Sequence, residues 1–483
     1  MYASLLILAN ATAARAQAPA GQPIAVSDVT VSGSIRARSY SWNWFGDTAN
    51  GDYTYPGTLV RLGVSRSRPT YDWQVEFALP LVLNLPTAAT LAAPQGQLGL
   101  GATYFAANSN TTNTAALFLK QGFFRWKNAS GVAAQSLKVG RFEFNDGTEM
   151  APKNATLAAL KRDRISQRLI GNFGFSDVGR SLDGAQYSLT RGSLNLTGLV
   201  GRPTQGVFQV NGWPELNINV VYGALTRQIG GDRHPGEWAA FGLGYDDYRH
   251  GVVKTDNRAA ALRSADTGSI AIATYGGHYL QVVATEAGPL DFLAWGAVQT
   301  GSWGALAQRA GAFAVEAGWQ PAGRERVNPW VRGGYNYGSG DSDPTDQTHG
   351  TFFQVLPTPR VYARLPFFNM MNSRDAFGEL ILRPTKSLTV RTDVHSLQLA
   401  ERTDLWYSGG GAFQPGTFGY TGRPSNGQSG LATLYDVSGD YTLNGHVALG
   451  AYYGRAVGQA VTHAIYPTGD NVHLGYAELF LRF

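Results

Sequence analysis

Apolar and polar residues alternate strictly from His473 to Phe483. Gly475, Ala477, Leu479, Leu481 and Phe483 share one face, and Tyr476, Glu478, Phe480 and Arg482 share the other. A period of two over so short a run predicts a strand with one apolar and one wet side. The same alternation predicts strands at 27–44, 56–66, 71–82, 116–127, 135–144, 182–191, 193–202, 216–228, 238–249 and 268–283. It continues at 288–301, 304–319, 328–338, 375–384, 387–398, 430–442, 445–455 and 473–483. That makes eighteen, an even number, as a closed bacterial single-chain barrel requires. A further candidate at 167–175 has to be rejected to keep the count even.

The connections alternate in length. Those at 45–55, 83–115, 145–181, 203–215, 250–267, 339–374, 399–429 and 456–472 are mostly long and rich in Gly, Asn, Thr and Pro, with 302–303 the short exception. Between them fall tight turns such as Ser67-Arg68-Pro69-Thr70, Arg191-Gly192-Ser193, Pro384-Thr385-Lys386 and Asn444-Gly445, built from turn-forming residues. Long loops on one rim and short turns on the other mark a transmembrane barrel with both termini periplasmic. A soluble propeller would carry short loops at both ends. The expected fold class is therefore all-β: a transmembrane antiparallel β-barrel of 18 strands.

Composition agrees. Charged residues make up 15% of the 483, and the mean hydropathy is −0.17, as when wet lumen residues offset lipid-facing apolar ones. No uninterrupted apolar run reaches the roughly 18 residues of a spanning helix. No linker or solenoid repeat divides the chain, so 17–483 reads as a single barrel domain. Residues 3–14 are small and apolar, and Ala14-Arg15-Ala16 fits a small-x-small cleavage site. Residues 1–16 thus read as a secretory signal that lacks its basic start. Zero cysteines exclude disulfides and thiolate metal sites. The net charge of +5 is spread thinly rather than in runs, which excludes a nucleic-acid partner.

Within each strand the apolar parity should face lipid, because Arg or Lys on that side near the midplane costs about 2–4 kcal/mol. Ile35 and Ala37 outward leave Arg36 and Arg38 inside; Val60, Leu62 and Val64 leave Arg61; Val75 and Phe77 leave Glu76. By the same rule Arg332, Glu379, Arg383, Arg391, Asp393, His395, Asp436 and Asp440 face inward. Eighteen strands enclose a space too wide for wall side chains to fill, so water enters unless something plugs it. Arg36, Arg61, Arg332 and Arg391 then stand against Glu76, Glu379, Asp393 and Asp436. Two readings stay open: paired charges that stiffen the wall, or an arginine ladder that attracts an anion while carboxylates keep it releasable. Loops 83–115 and 145–181 are long enough to fold inside. The second carries a short helix at Ala155–Ile165 with Lys161, Arg162 and Arg164, expected to form a basic constriction.

With these strands placed, the C-terminal half resembles the alginate-export family of outer-membrane barrels. The residues that carry the likeness are Gly334-Tyr335-Asn336-Tyr337-Gly338-Ser339-Gly340-Asp341, the acidic loop Asp341 to Asp346, Phe352-Phe353, Asn369, Asn372 and the strand pair 375–398. Upstream, Val139-Gly140-Arg141-Phe142 and Gly179-Arg180-Ser181-Leu182-Asp183-Gly184 are similar to that family's strand elements, so the likeness spans 130–483. It implies an eighteen-stranded barrel whose basic lumen passes a polyuronate, and it adds Arg141 and Arg180 to the anion path. The final strand, ending on Phe483, resembles the signal read by the barrel-assembly machinery. One departure stands out. The family's namesake has a long periplasmic turn before its penultimate strand, whereas the hairpin at Asn444-Gly445 favours a simpler porin.

The eight histidines show no HExxH and no pair at metal spacing, and no nucleophile elbow or Walker loop occurs. Asp341, Asp343 and Asp346 offer a weak calcium candidate but lack the ligand complement of an EF-hand loop. No cofactor is expected. His349 and His463, near Asp346 and Asp470, leave a barrel enzyme or adhesin as the lesser alternative. The chain reads as an outer-membrane channel, not an enzyme. Its partners are membrane lipid outside and an anionic polysaccharide or small anionic solute inside; a non-specific or uptake porin for small solutes is the runner-up.

Overall fold

A computed structural model describes residues 23–45, 48–128, 134–231, 233–358 and 363–483; the expected signal at 1–16 lies outside them. The wall begins with β1 (Val29–Asn43), β2 (Asp52–Ser67), β3 (Tyr71–Val82), β4 (Phe118–Lys127), β5 (Gln135–Phe142) and β6 (Leu182–Arg191). It continues through β7 (Leu194–Pro203), β8 (Ile218–Ile229), β9 (Gly236–Asp247), β10 (Ile270–Val283), β11 (Leu290–Trp303) and β12 (Leu306–Trp319). It ends with β13 (Trp330–Gly338), β14 (Ser373–Thr385), β15 (Leu388–Gln398), β16 (Gly430–Thr442), β17 (Val447–Gly458) and β18 (Asn471–Arg482). Each strand pairs antiparallel with the next, and β18 returns to β1 from Ser34↔Arg482 to Asn43↔His473. The sheet is therefore a closed eighteen-stranded barrel without a free edge. The segment 167–175 forms no spanning strand; its one backbone β-pairing among the described residues is an isolated parallel bridge from Ile170 to Leu356, itself a loop residue.

Phe483 completes the seam. Its N–H donates to Gly33 and its carbonyl accepts from the Gly33 N–H, both at 3.1 Å. The phenylalanine ring lies so close over Gly33 that a β-carbon there would collide with it. On the outer wall, Leu62, Val221, Tyr275, Val298, Val394 and Tyr435 are exposed, the surface lipid would cover.

The inner wall departs from the simple alternation. Ile218, Val220 and Tyr222 of β8 and Ile270 and Ile272 of β10 point inward and are buried. They meet infolded loops rather than water, so both faces of these strands are apolar. Two apolar clusters fill the interior from wall and loops together, one around Tyr40, Trp42, Tyr104, Phe208 and Trp406, the other around Tyr245, Trp295, Trp303 and Phe353.

The loop joining β5 to β6 runs the full height of the barrel. The Ala151 carbonyl accepts from Gln228 Nε2 at 3.0 Å, and Thr156 Oγ1 accepts from Gln320 Nε2 at 2.9 Å. Both glutamines belong to the short-turn rim. At this depth the chain forms α1 (Ala155–Leu160), with Asn154 Oδ1 accepting from the Leu157 N–H at its start, followed by a π turn at Lys161–Ile165. The predicted helix therefore exists, deep inside the barrel.

Candidate functional site

Arg36, Arg38, Arg61, Arg332 and Arg391 face inward as expected, and each is tied to a carboxylate. Arg36 meets Asp177 at 3.2 Å and the carbonyls of Gly174 and Ser176; Arg38 meets Glu478 at 2.6 Å. Arg61 binds Glu76, and also Glu143 at 3.0 Å, which Lys120 approaches at 3.3 Å. Arg332 binds Asp291, and Glu316 at 3.0 Å; Arg391 reaches Glu379 at 3.0 Å. Asp393 and Asp436 sit directly opposite each other on β15 and β16, and both are buried. For the arginine–carboxylate pairs, burying one member without the other would leave a charge stranded in a low-dielectric interior. The ladder is a set of struts.

The inner loop supplies more cations, and most of these are also committed. Lys161 meets Glu237 at 2.6 Å, with His278 on the same carboxylate at 3.0 Å. Arg164 meets Glu316 at 2.6 Å and Arg168 meets it at 3.3 Å. The expected constriction by Lys161 and Arg164 is thus corrected: wall acids bind these side chains and latch the loop.

Arg162 differs. Its side chain is 40% exposed, and it forks onto Asp163 at 2.7 and 2.8 Å. Arg391 approaches the same carboxylate at 3.2 Å. Arg383 stacks over Trp330 at 5.4 Å, within electrostatic range of Asp163 and Arg391. Burial alone would raise the Asp163 carboxyl, but Arg162 and Arg391 outweigh it and hold the group well below the usual range. Three guanidiniums therefore gather around Asp163, with Glu379 the other carboxylate bound to this group, at the short-turn side of the lumen.

A cavity of about 410 Å³ opens among the loops at the opposite rim, lined by Trp42, Trp44, Phe208, Phe413, Phe418 and Arg423 among others. The hairpin Leu405–Gly409 with Tyr420–Pro424 forms one wall. Gly410 is required where that wall meets Phe173, because a β-carbon would overlap the ring. Sequence reasoning missed this feature, although the run Gly409-Gly410-Gly411 and the aromatics at 413, 418 and 420 were its signal.

The alginate export family model matches residues 102–466. The chain belongs to the alginate export family. No curated protein matches it at a significant level. Among solved structures it is similar to the outer membrane protein opdK from Pseudomonas aeruginosa, at 9% identity over 94% of this chain and 99% of that one, with a TM-score of 0.54. OccK2 (OpdF) of the same organism gives 9% identity, 95% and 98% coverage and a TM-score of 0.57. Acinetobacter baumannii OccAB2 gives 8%, 95%, 98% and 0.56. Family and closed wall together make the chain an outer-membrane channel.

The two arginines brought in by the alginate-export resemblance stand elsewhere than in an open path. Arg141 shares the outward parity of the exposed Leu137 and Val139, so it lies on the outer wall, not in the lumen. There it binds Asp183 at 2.5 and 2.7 Å and the carbonyls of Leu119, Gly212 and Trp213. Arg180 is 1% exposed, with Nη1 and Nη2 on the carbonyls of Gly171, Leu356, Gly410 and Ala412. Burial without a carboxylate partner pulls its pKa down to about 10.

The calcium candidate in this alginate export family barrel is also corrected. Asp343 Oδ1 accepts from Thr345 and Asp346 Oδ1 from the Thr348 N–H, so both cap their own turn. Asp341 is buried beside Asp404; burial pushes Asp341 up to about 7 and Asp404 up to about 6. Among the described residues no three ligands converge at metal geometry. His349 is stacked on Trp303 at 4.0 Å and bonded to Gln308, away from Asp346; burial holds its pKa down to about 3.

Proposed function

We propose that this channel passes small anions, with the group Arg162, Arg383 and Arg391 around Asp163 as the selecting element. The observation that carries the reading is the surplus of guanidiniums over carboxylates there, beside an Arg162 side chain open to solvent. Elsewhere the lumen arginines Arg36, Arg38, Arg61 and Arg332 are matched by acids. Attraction at one point, relieved by Asp163 and Glu379, gives binding that still permits release. The inner loop and the two apolar clusters leave little room for a polymer, which supports small solutes over polyuronate export. We further propose that the long loops face outward, that both termini face the periplasm, and that Phe483 is the segment offered to the assembly machinery.

Planar-bilayer recordings under a salt gradient test the reading. The reversal potential should show anion preference, and Arg162→Ala with Arg383→Ala should move it toward cations. A wild-type preference for cations would sink it.

A further inference from the structure

The cavity at the long-loop rim carries a chemistry of its own. No acidic side chain lines it, and Arg423 is its one charged lining residue among those described. Arg423 is 2% exposed, and its recorded acceptors are all neutral: the carbonyls of Gln95 and Gln97 at 3.1 and 3.0 Å, Tyr466 Oη at 3.1 Å and Ser408 Oγ at 3.0 Å. A guanidinium has five N–H donors. Nη1 and Nη2 each make one of these bonds, so each keeps a second N–H. Its flat face lies over Trp406 at 4.8 Å and Trp44 at 5.6 Å.

Arg180 stands one layer behind. One of its acceptors, Gly410, is itself cavity lining, its guanidinium lies 5.8 Å from the lining ring of Phe173, and its Nε has no partner. Three further lining residues, Trp42, Trp44 and Asn369, each hold a buried N–H without an acceptor. Two positive charges without a carboxylate are thus buried at one cavity, whereas Arg36, Arg38, Arg61, Arg332 and Arg391 in the lumen are each paired with an acid. Buried charge is costly unless it is paired. An anion in the cavity would supply the missing counter-charge.

The walls specify the rest of the ligand. Eight aromatic side chains line the cavity, and the volume suits a small molecule rather than a chain. We propose that this cavity is a binding site for a small aromatic carboxylate, its ring stacked on the aromatic wall and its charge set against Arg423 and Arg180. The proposal deepens the small-anion reading by naming the solute class, and rests on it.

Calorimetric titration of the full-length barrel in detergent tests it, with benzoate, cyclohexanecarboxylate and benzyl alcohol as probes. Benzoate should bind saturably at one site per chain. Loss of planarity should weaken binding roughly 2- to 12-fold, and loss of charge should weaken it at least as much. Phe413→Leu, which keeps bulk, should narrow the gap between benzoate and cyclohexanecarboxylate. Arg423→Gln should narrow the gap between benzoate and benzyl alcohol. Absence of saturable benzoate binding overturns the site, as does equal binding of all three probes. Titration reads no current, so an anion-selective channel that ignores benzoate refutes this site alone. A cation-selective channel that binds benzoate refutes the selectivity reading alone.

Discussion

Two regions of this barrel use arginine in opposite ways. Near the short-turn rim, Arg164, Arg168 and Arg332 converge on Glu316, and Asp291 and Glu379 supply the further negative charge. Near the long-loop rim, Arg180 and Arg423 are equally buried but hold only carbonyls and hydroxyls. The first arrangement fastens one piece of chain to another; the second leaves positive potential for a solute to feel. Partner chemistry, and not residue type, separates a strut from a binding group.

The largest effect should come from breaking the fastened region. Glu316→Gln removes the carboxylate that Arg164, Arg168 and Arg332 share, although Arg332 keeps Asp291 and Arg164 keeps Glu379; removal of one partner from a buried ionic group costs about 3–5 kcal/mol. The inner loop should then leave the wall, raising single-channel conductance and opening the chain to trypsin at Arg162 and Arg164. Unchanged conductance and protection would show that the latch does not depend on this carboxylate.

A smaller effect follows from pH. Burial raises the Asp146 carboxyl to about 7, with Glu149 adding to the rise and the N–H groups of Leu169 and Ile170 and the charge of Arg168 opposing it. Its ordinary value is about 3.9. The folded loop therefore binds this proton more tightly than the unfolded chain. The resulting stability is full below about pH 4 and lost as pH rises through about 7. Between those limits the attachment of the loop should weaken by roughly 1.4 kcal/mol per pH unit. Protease protection of residues 143–181 should fall from pH 5 to pH 8, and Asp146→Asn should flatten that trend.

The smallest effect is expected at Arg141. Because it is paired with Asp183 on the outer wall, Arg141→Gln should leave the reversal potential unchanged. A shift comparable to that from Arg162→Ala would put Arg141 back on the permeation path.

The wall was legible because lipid and water impose a strict two-residue period, and eighteen strands satisfy it from β1 to β18. Even Arg141 was legible: Leu137, Val139 and Arg141 share one parity, a signal the family likeness overrode. The inner architecture was not legible in this way. Arg391 and Asp163 lie 228 positions apart, and no local pattern announces that their loop and strand will meet. Nor could alternation show that Ile218 and Val220 face inward, since apolar side chains suit an infolded loop as well as they suit lipid. The cavity depends on seven separated loops meeting, information that sequence carries only as scattered glycines and rings.

The long inner loop leaves the wall from β5 and rejoins it at β6, and those two strands are immediate neighbours. A segment hung from one point like a drawstring threads nothing. It can be laid into a finished cylinder from the open mouth, or drawn back out, without unzipping a single ladder. Assembly of the wall and filling of its interior are therefore separable steps.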